Sequence, residues 1–444
     1  MLDIRLSRLE DLRVSDASIF SQFRDNIAVS NSGDISTKYC NITARLNKDF
    51  WDSDSDTAHT LQIGSYGRRT AINGVSDLDM AFAIPKERFD YYKSLGYDGP
   101  KTMLDDVKAS LRKRYDNGTK IKVDGQVVGV FFSNYHVEVL PAYEDVDGNF
   151  THGDTNTGTW KLTKPRPEIE AVNKLNSETN WNLKNSCKMM RAWKNHVGLK
   201  IGGLLIDTLV YNFFSERDDY NTATFKSYPQ MFVDLFTYLG GLEEQDYWWA
   251  PGSNQRVKCK SKFQSKARKA AKRSQEALDE TDEAKKIKIW KKVFGRPFPN
   301  VSATIESVQK SLVLSFDQEQ FIEDSIPVDI RYHLEIEGEV RVGNTVQDRI
   351  RQALRRRERV PLGRHLRFYV SECDVPEPYA IWWKVRNQGQ YAIDRKMLRG
   401  EITPDADGLK QKYETTDFSG DHYVEAYALK DGVCVARGKI KVAI

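Results

Sequence analysis

Gly64-Ser65-Tyr66-Gly67-Arg68-Arg69-Thr70-Ala71-Ile72-Asn73-Gly74-Val75-Ser76-Asp77-Leu78-Asp79-Met80-Ala81-Phe82-Ala83-Ile84 is the stretch from which the rest of the chain can be read. Its second half passes from Asp77-Leu78-Asp79 into an apolar run, Met80–Ile84, short enough and apolar enough for a buried strand. Alternate residues of a strand share a face, so Asp77 and Asp79 point one way while Leu78 and Met80 face a core. Two carboxylates held together repel unless cations neutralise them, and hard oxygen donors on a short rigid element suit Mg²⁺ or Mn²⁺. Upstream, Gly64 lets a backbone approach an anion closely, and Ser65 adds a hydroxyl donor beside exposed N–H groups.

Working outward, a second strand, Tyr135-His136-Val137-Glu138-Val139-Leu140-Pro141-Ala142-Tyr143, offers Glu138 as a third acid between apolar neighbours. Taken singly, a Gly-Ser pair is an ordinary turn, an Asp-x-Asp pair is ordinary surface polarity, and a strand Glu faces solvent. Their order and apolar framing together describe an anion cradle beside a carboxylate metal site, the layout that nucleotidyl transfer requires. Two metals would be shared by Asp77, Asp79 and Glu138.

The surrounding chain supports an α+β reading. At 444 residues it exceeds what one core organises, and 40% hydrophobic with 29% charged residues excludes wholesale disorder. A formal charge of +4 excludes a whole-molecule polyanion binder. Five scattered cysteines without metal-ligand spacing fit a reduced, cytoplasmic setting, and neither an export signal nor a membrane span is legible. Apolar residues at helical spacing predict N-terminal helices before a catalytic sheet, together spanning 1–165. Helical stripes such as Leu183, Cys187, Met190 and Trp193 predict a helical subdomain over 166–300 that completes a nucleotide cleft. A linker is expected over 301–326 and a β-rich, sandwich-like domain over 327–444. Basic residues from Lys258 to Arg273 read as a solvated helix, with an RNA-binding face as the rival. The eight arginines between Arg349 and Arg367 likewise read as solvated helix.

At these residues the chain resembles the polymerase-β-like nucleotidyltransferases. Within them it is similar to the bacterial cGAS/DncV-like enzymes, relatives of oligoadenylate synthetase. The closer likeness lies in Gly64-Ser65 with Thr70-Ala71-Ile72, Ser76-Asp77-Leu78-Asp79, Val137–Tyr143 and the helix Lys188-Met189-Met190-Arg191-Ala192-Trp193. One departure is Glu138, where the family commonly has Asp. The segments Cys373–Tyr379, Trp383–Gly389, Leu398–Gly400 and His422–Tyr427 resemble the adenylyl/guanylyl-cyclase and SMODS C-terminal sensor domain, which implies a possible nucleotide ligand there. Tyr379, Trp382, Trp383 and Arg386 are the residues able to stack on a base and hold a phosphate, though strand aromatics of this kind belong first to the core.

The resemblance implies a metal-dependent, template-independent enzyme that joins nucleoside triphosphates, ATP among them, into a cyclic di- or trinucleotide. The product would reach a downstream effector in CBASS-type antiphage signalling. Gly64, Ser65, Lys188 and Arg191 would bind the donor triphosphate, with Asp77, Asp79 and Glu138 catalytic and holding two Mg²⁺ or Mn²⁺ ions. Nucleic acid is not required in this reading. An RNA-tailing or protein-nucleotidylating transferase, and a catalytically inert nucleotide sensor, remain alternatives, and bases, ring size, linkage, trigger and oligomeric state stay open.

Overall fold

The computed structural model describes residues 16–29, 32–74, 77–115, 118–133, 135–300 and most of 328–444. In that last span it leaves out 344, 389–390, 393–396, 406–407 and 418, and before it only 320, 322 and 326 are described. The expected linker over 301–326 therefore lies almost wholly outside the described residues. By residue span the chain forms two compact units. One is Met1–Asn31, Lys48–Ser53 and Gln62–Lys310; the other is Ser32–Asn47, Asp54–Leu61 and Ser311–Ile444. Two short N-terminal stretches thus group with the C-terminal unit.

In the first unit, the strand Asp77–Ala83 runs parallel to His136–Glu144. Val127–Phe131 and then Lys120–Asp124 continue the sheet antiparallel, and Phe150–Asp154 with Thr159–Thr163 extend it from the far end of His136–Glu144. Leu78, Met80, Val137 and Val139 are all but fully buried, as alternation requires. The helix Gly99–Arg114 adds Met103, Leu104, Val107 and Leu111 along one stripe, all fully buried.

A helical layer follows: Pro165–Glu178, Asn182–His196, Gly203–Ser215 and Tyr228–Gly241. The basic stretch is not one long helix. It opens with a short strand, Arg256–Lys258, and continues as the helices Gln264–Asp279 and Glu283–Phe294. Their buried sides join the N-terminal helix Asp16–Asn26 in an aromatic cluster, in which Phe20 lies 5.2 Å from Trp290 and 6.0 Å from Phe232 between ring centroids. Each such ring contributes about 1.5–3 kcal/mol through burial, which ties the last helices of this unit to the first.

The second unit contains two four-stranded antiparallel sheets. The expected strands are present as Leu334–Val342, His365–Cys373, Ala380–Arg386, Asp421–Lys430 and Val433–Ala443. Thr345–Arg349, Arg399–Pro404 and Gln411–Thr415 complete them. Ile336, Phe368, Trp383, Val424 and Ile440 share the core, so Trp383 packs rather than waits for a base. On the opposite face of that sheet Glu425 meets its register partners, Lys384 Nζ at 2.7 Å and Lys439 Nζ at 3.1 Å. Burial raises this carboxyl, but Lys384, then Lys439 and Arg437, outweigh burial and hold it down at about 2.

The arginine-rich run forms only a short helix, Ile350–Arg355, before the strand His365–Cys373. Arg351 pairs with Glu335, Arg356 with Asp348 and Glu358, and Arg367 with Glu339. These arginines therefore brace strands instead of lining a solvated helix. Among the described residues, no helix is long and apolar enough to cross a membrane.

Candidate active site

The parallel register sets Asp77 beside His136 and Asp79 beside Glu138. Because alternate residues share a strand face, these four side chains form a two-by-two patch on the side opposite the core. Asp77 and Glu138 are partly exposed. Asp79 is deeper, and its carboxyl is pushed up to about 7 by burial first, then by Glu138 and Asp77, with Arg68 and His136 offsetting part of the effect. His136 Nε2 lies 3.2 Å from Glu138 Oε1 and 3.8 Å from Asp77 Oδ1. The imidazole stacks on Phe131 at 5.0 Å, which fixes its plane.

Gly64–Gly67 is a single helical turn laid against this patch. Gly64 has φ +63°, and a Cβ there would stand 1.9 Å from Asp79 Oδ2. Only glycine allows backbone and carboxylate to come this close. Ser65 is half-buried, and its carbonyl accepts from the Thr70 and Ala71 N–H groups at 2.8 and 3.2 Å, folding the following loop back over the turn. The structure thus brings Gly64, Asp77, Asp79 and Glu138 together, with Ser65 on the adjoining turn.

Arg191 departs from the expectation of a triphosphate contact. It is 6% exposed, and its guanidinium donates to the Thr70 carbonyl (2.6 Å), Thr70 Oγ1 (2.8 Å) and both Asp207 oxygens (2.7 Å each). Asp207, with its side chain fully enclosed, also accepts from Arg68 Nε and Thr70 Oγ1, each at 2.8 Å. Arg68 in turn lies 3.6 Å from Glu168. A guanidinium so engaged and so enclosed holds the 68–71 loop instead of reaching a phosphate tail. A Cβ on Gly203 would lie 2.6 Å from Arg191 Nη1, so the network also requires that glycine. Lys188 is half-buried on the same helix.

Sequence reasoning missed Arg68, Asp207, Lys184 and His136. Asp207 carried a signal, as the one acid in Leu204-Leu205-Ile206-Asp207-Thr208-Leu209-Val210, where burial demands a cationic partner. Lys184 carried only its i, i+4 spacing to Lys188.

Three carboxylates from two register-paired strands form a hard oxygen donor set, which suits Mg²⁺ or Mn²⁺. Among the described residues, the donor atoms already within 4.8 Å of one another belong to His333, Glu335 and Glu372 in the second unit. The second unit also has an open cavity lined by Phe368, Arg399, Glu414, His422 and Tyr423, among others. Tyr379, Trp382, Trp383 and Arg386 are not part of that lining.

Residues 14–176 match the Second Messenger Oligonucleotide or Dinucleotide Synthetase (SMODS) domain. Residues 316–444 match the Adenylyl/Guanylyl and SMODS C-terminal sensor domain. The chain belongs to the cGAS/DncV-like nucleotidyltransferases. This nucleotidyltransferase is 25% identical over 287 residues to the cyclic AMP-AMP-AMP synthase of an Acinetobacter species, covering 58% of this chain and 78% of that protein. It is 23% identical over 287 residues to a probable cyclic nucleotide synthase of Bacillus cereus, covering 54% and 82% respectively. In fold it is similar to Escherichia coli CdnC solved with ATP, with a TM-score of 0.50 and 15% identity over 65% of this chain and 99% of that one.

Proposed function

We propose that the chain joins nucleoside triphosphates into a cyclic di- or trinucleotide second messenger, releasing pyrophosphate, and passes it to an antiphage effector in the cytoplasm. The observation that carries this reading is the pairing of Asp79 with Glu138 across two parallel strands, with Asp77 beside them and the Gly64 backbone against Asp79. Two divalent cations, Mg²⁺ or Mn²⁺, would be held by Asp77, Asp79 and Glu138, supplying acidification of the acceptor hydroxyl and neutralisation of the leaving pyrophosphate.

The chain's own groups do the rest. Ser65 and the backbone at Gly64 bind the donor phosphates, and Lys188 reaches their tail from the neighbouring helix. A Glu138 carboxylate oxygen accepts the proton of the 2′- or 3′-hydroxyl as its oxygen bonds to the donor α-phosphorus and the bond to pyrophosphate breaks. Arg191 acts on the same reaction indirectly, through Thr70 and Asp207, by holding the loop that packs over Ser65.

ATP among the substrates is supported by the cyclic AMP-AMP-AMP synthase relative. Mass spectrometry of products from mixed ATP, GTP, CTP and UTP with Mg²⁺ or Mn²⁺ tests the reading. Small phosphodiesterase-resistant oligonucleotides are expected without added RNA or protein, whereas turnover only after adding RNA or protein favours a tailing or protein-modifying transferase. An Asp77→Ala, Asp79→Ala double variant that still released pyrophosphate at the wild-type rate would refute the assignment.

A further inference from the structure

Glu138 has one methylene more than the Asp common at this place in the family, and His136, two residues earlier, shares its strand face. His136 Nε2 lies 3.2 Å from Glu138 Oε1 and 3.8 Å from Asp77 Oδ1, so one ring nitrogen faces an acid on each of the two parallel strands. The ring is held on its other side by Phe131, its register partner on the strand Val127–Phe131, with 5.0 Å between centroids and 19° between planes. At 20% exposed, the His136 side chain is within reach of an ion arriving from solvent.

A hydrogen bond to Glu138 accounts for the shorter distance. It does not account for the longer one, since 3.8 Å is beyond hydrogen-bond range and Nε2 carries at most one proton. A shared metal ion accounts for both. Donor atoms about 2.1 Å from an octahedral ion stand about 3.0 Å from one another, and both separations exceed that spacing by under about 1 Å. The imidazole then keeps its proton on Nδ1 and stays neutral, leaving the acids to balance the ion's charge. It also changes which ion is favoured. Mg²⁺ is bound through oxygen and keeps its waters, whereas first-row transition ions gain from a nitrogen donor.

We propose that His136 Nε2 is a direct ligand of one of the two divalent ions, beside Asp77 and Glu138, and that it makes this position prefer Mn²⁺ to Mg²⁺. The inference rests on the nucleotidyl-transfer reading and goes beyond it by adding a nitrogen donor to the acids and committing to the ion.

The test is pulsed electron paramagnetic resonance of Mn²⁺ added to the full chain without nucleotide, in a His333→Gln background. That background is needed because His333, Glu335 and Glu372 place donor atoms within 4.8 Å of one another in the second unit, where Mn²⁺ would find another imidazole. The expected result is the hyperfine coupling of a directly bound imidazole nitrogen, present with His136 and lost in His136→Gln. Calorimetric titration of the same proteins should show that His136→Gln weakens Mn²⁺ binding about tenfold or more and Mg²⁺ binding much less. The glutamine amide still hydrogen-bonds Glu138, and circular dichroism checks that the variant folds.

Mn²⁺ bound without nitrogen coupling overturns the proposal whether or not any variant folds. So does coupling that survives His136→Gln, or equal weakening of both ions, which would leave His136 as a hydrogen-bond partner that positions Glu138. Mn²⁺ binding and pyrophosphate release from ATP are measured in parallel in the Asp77→Ala, Asp79→Ala variant. If both are lost there while the protein with intact acids shows no nitrogen coupling, the ligand assignment alone falls. Release that persists there strikes at the catalytic reading instead.

Discussion

Replacing Asp207 with alanine removes the one carboxylate that joins Arg68, Arg191 and Thr70. Four hydrogen bonds go with it: two at 2.7 Å from Arg191 and one each at 2.8 Å from Arg68 and Thr70, all inside a region that water does not reach. Breaking a buried pair from one side costs about 3–5 kcal/mol, because the remaining charge is left without a counter-ion. Arg68 keeps Glu168 at 3.6 Å, so Arg191 bears most of the loss and the lower end, about 3 kcal/mol, is expected. At about 2–4 °C per kcal/mol for a unit of this size, thermal melting followed by tryptophan fluorescence should show the first unit unfolding about 6–12 °C earlier. Replacing Asp207, Arg68 and Arg191 together by Leu, Met and Met should recover most of that stability, since an apolar set of similar volume has no charge to strand. It should not recover activity, because Thr70 then loses the partners that hold the loop over Ser65. An Asp207→Ala shift below about 2 °C, or full activity in the triple variant, would show that the network does not position the site.

Two further outcomes follow from the acid patch. Gly64→Ala should abolish pyrophosphate release while the chain still folds, because its methyl group would overlap Asp79 Oδ2 in a backbone conformation alanine disfavours; circular dichroism beside the activity assay checks both halves. In metal-free protein the Asp79 carboxyl, raised from its unfolded value to about 7, makes the native state hold more protons than the unfolded chain, so stability falls as pH rises from about 4 to about 7. Asp79→Asn should therefore raise the melting temperature at pH 8 and leave it nearly unchanged at pH 4; equal effects at both values would contradict the assignment.

Much of the catalytic sheet was legible because strand patterning is local. The alternation in Asp77-Leu78-Asp79-Met80 already separates acids from core, and the same holds around Glu138. The parallel register that puts Asp79 beside Glu138 and Asp77 beside His136 was not legible, because nothing within either strand states which residue of the other it meets. The donor end misled for a related reason. Lys188 and Arg191 share a helical face at three-residue spacing, but whether a cation on that face meets a phosphate or a buried carboxylate depends on a helix more than ten residues further along the chain. Asp207 claims Arg191.

The amino-acid sequence by itself determined the order of elements, the two strands that carry the acids, and the need for glycine before Ser65, since these depend on side-chain periodicity and backbone freedom within a few residues. Tertiary structure decided which charges neutralise one another and which like charges are gathered in one place. Those outcomes depend on distances and dielectric surroundings set by segments remote in the chain: Asp207 cancels Arg68 and Arg191, while Arg69 and Lys188 bear on the buried ammonium of Lys184 and lower its hold on a proton.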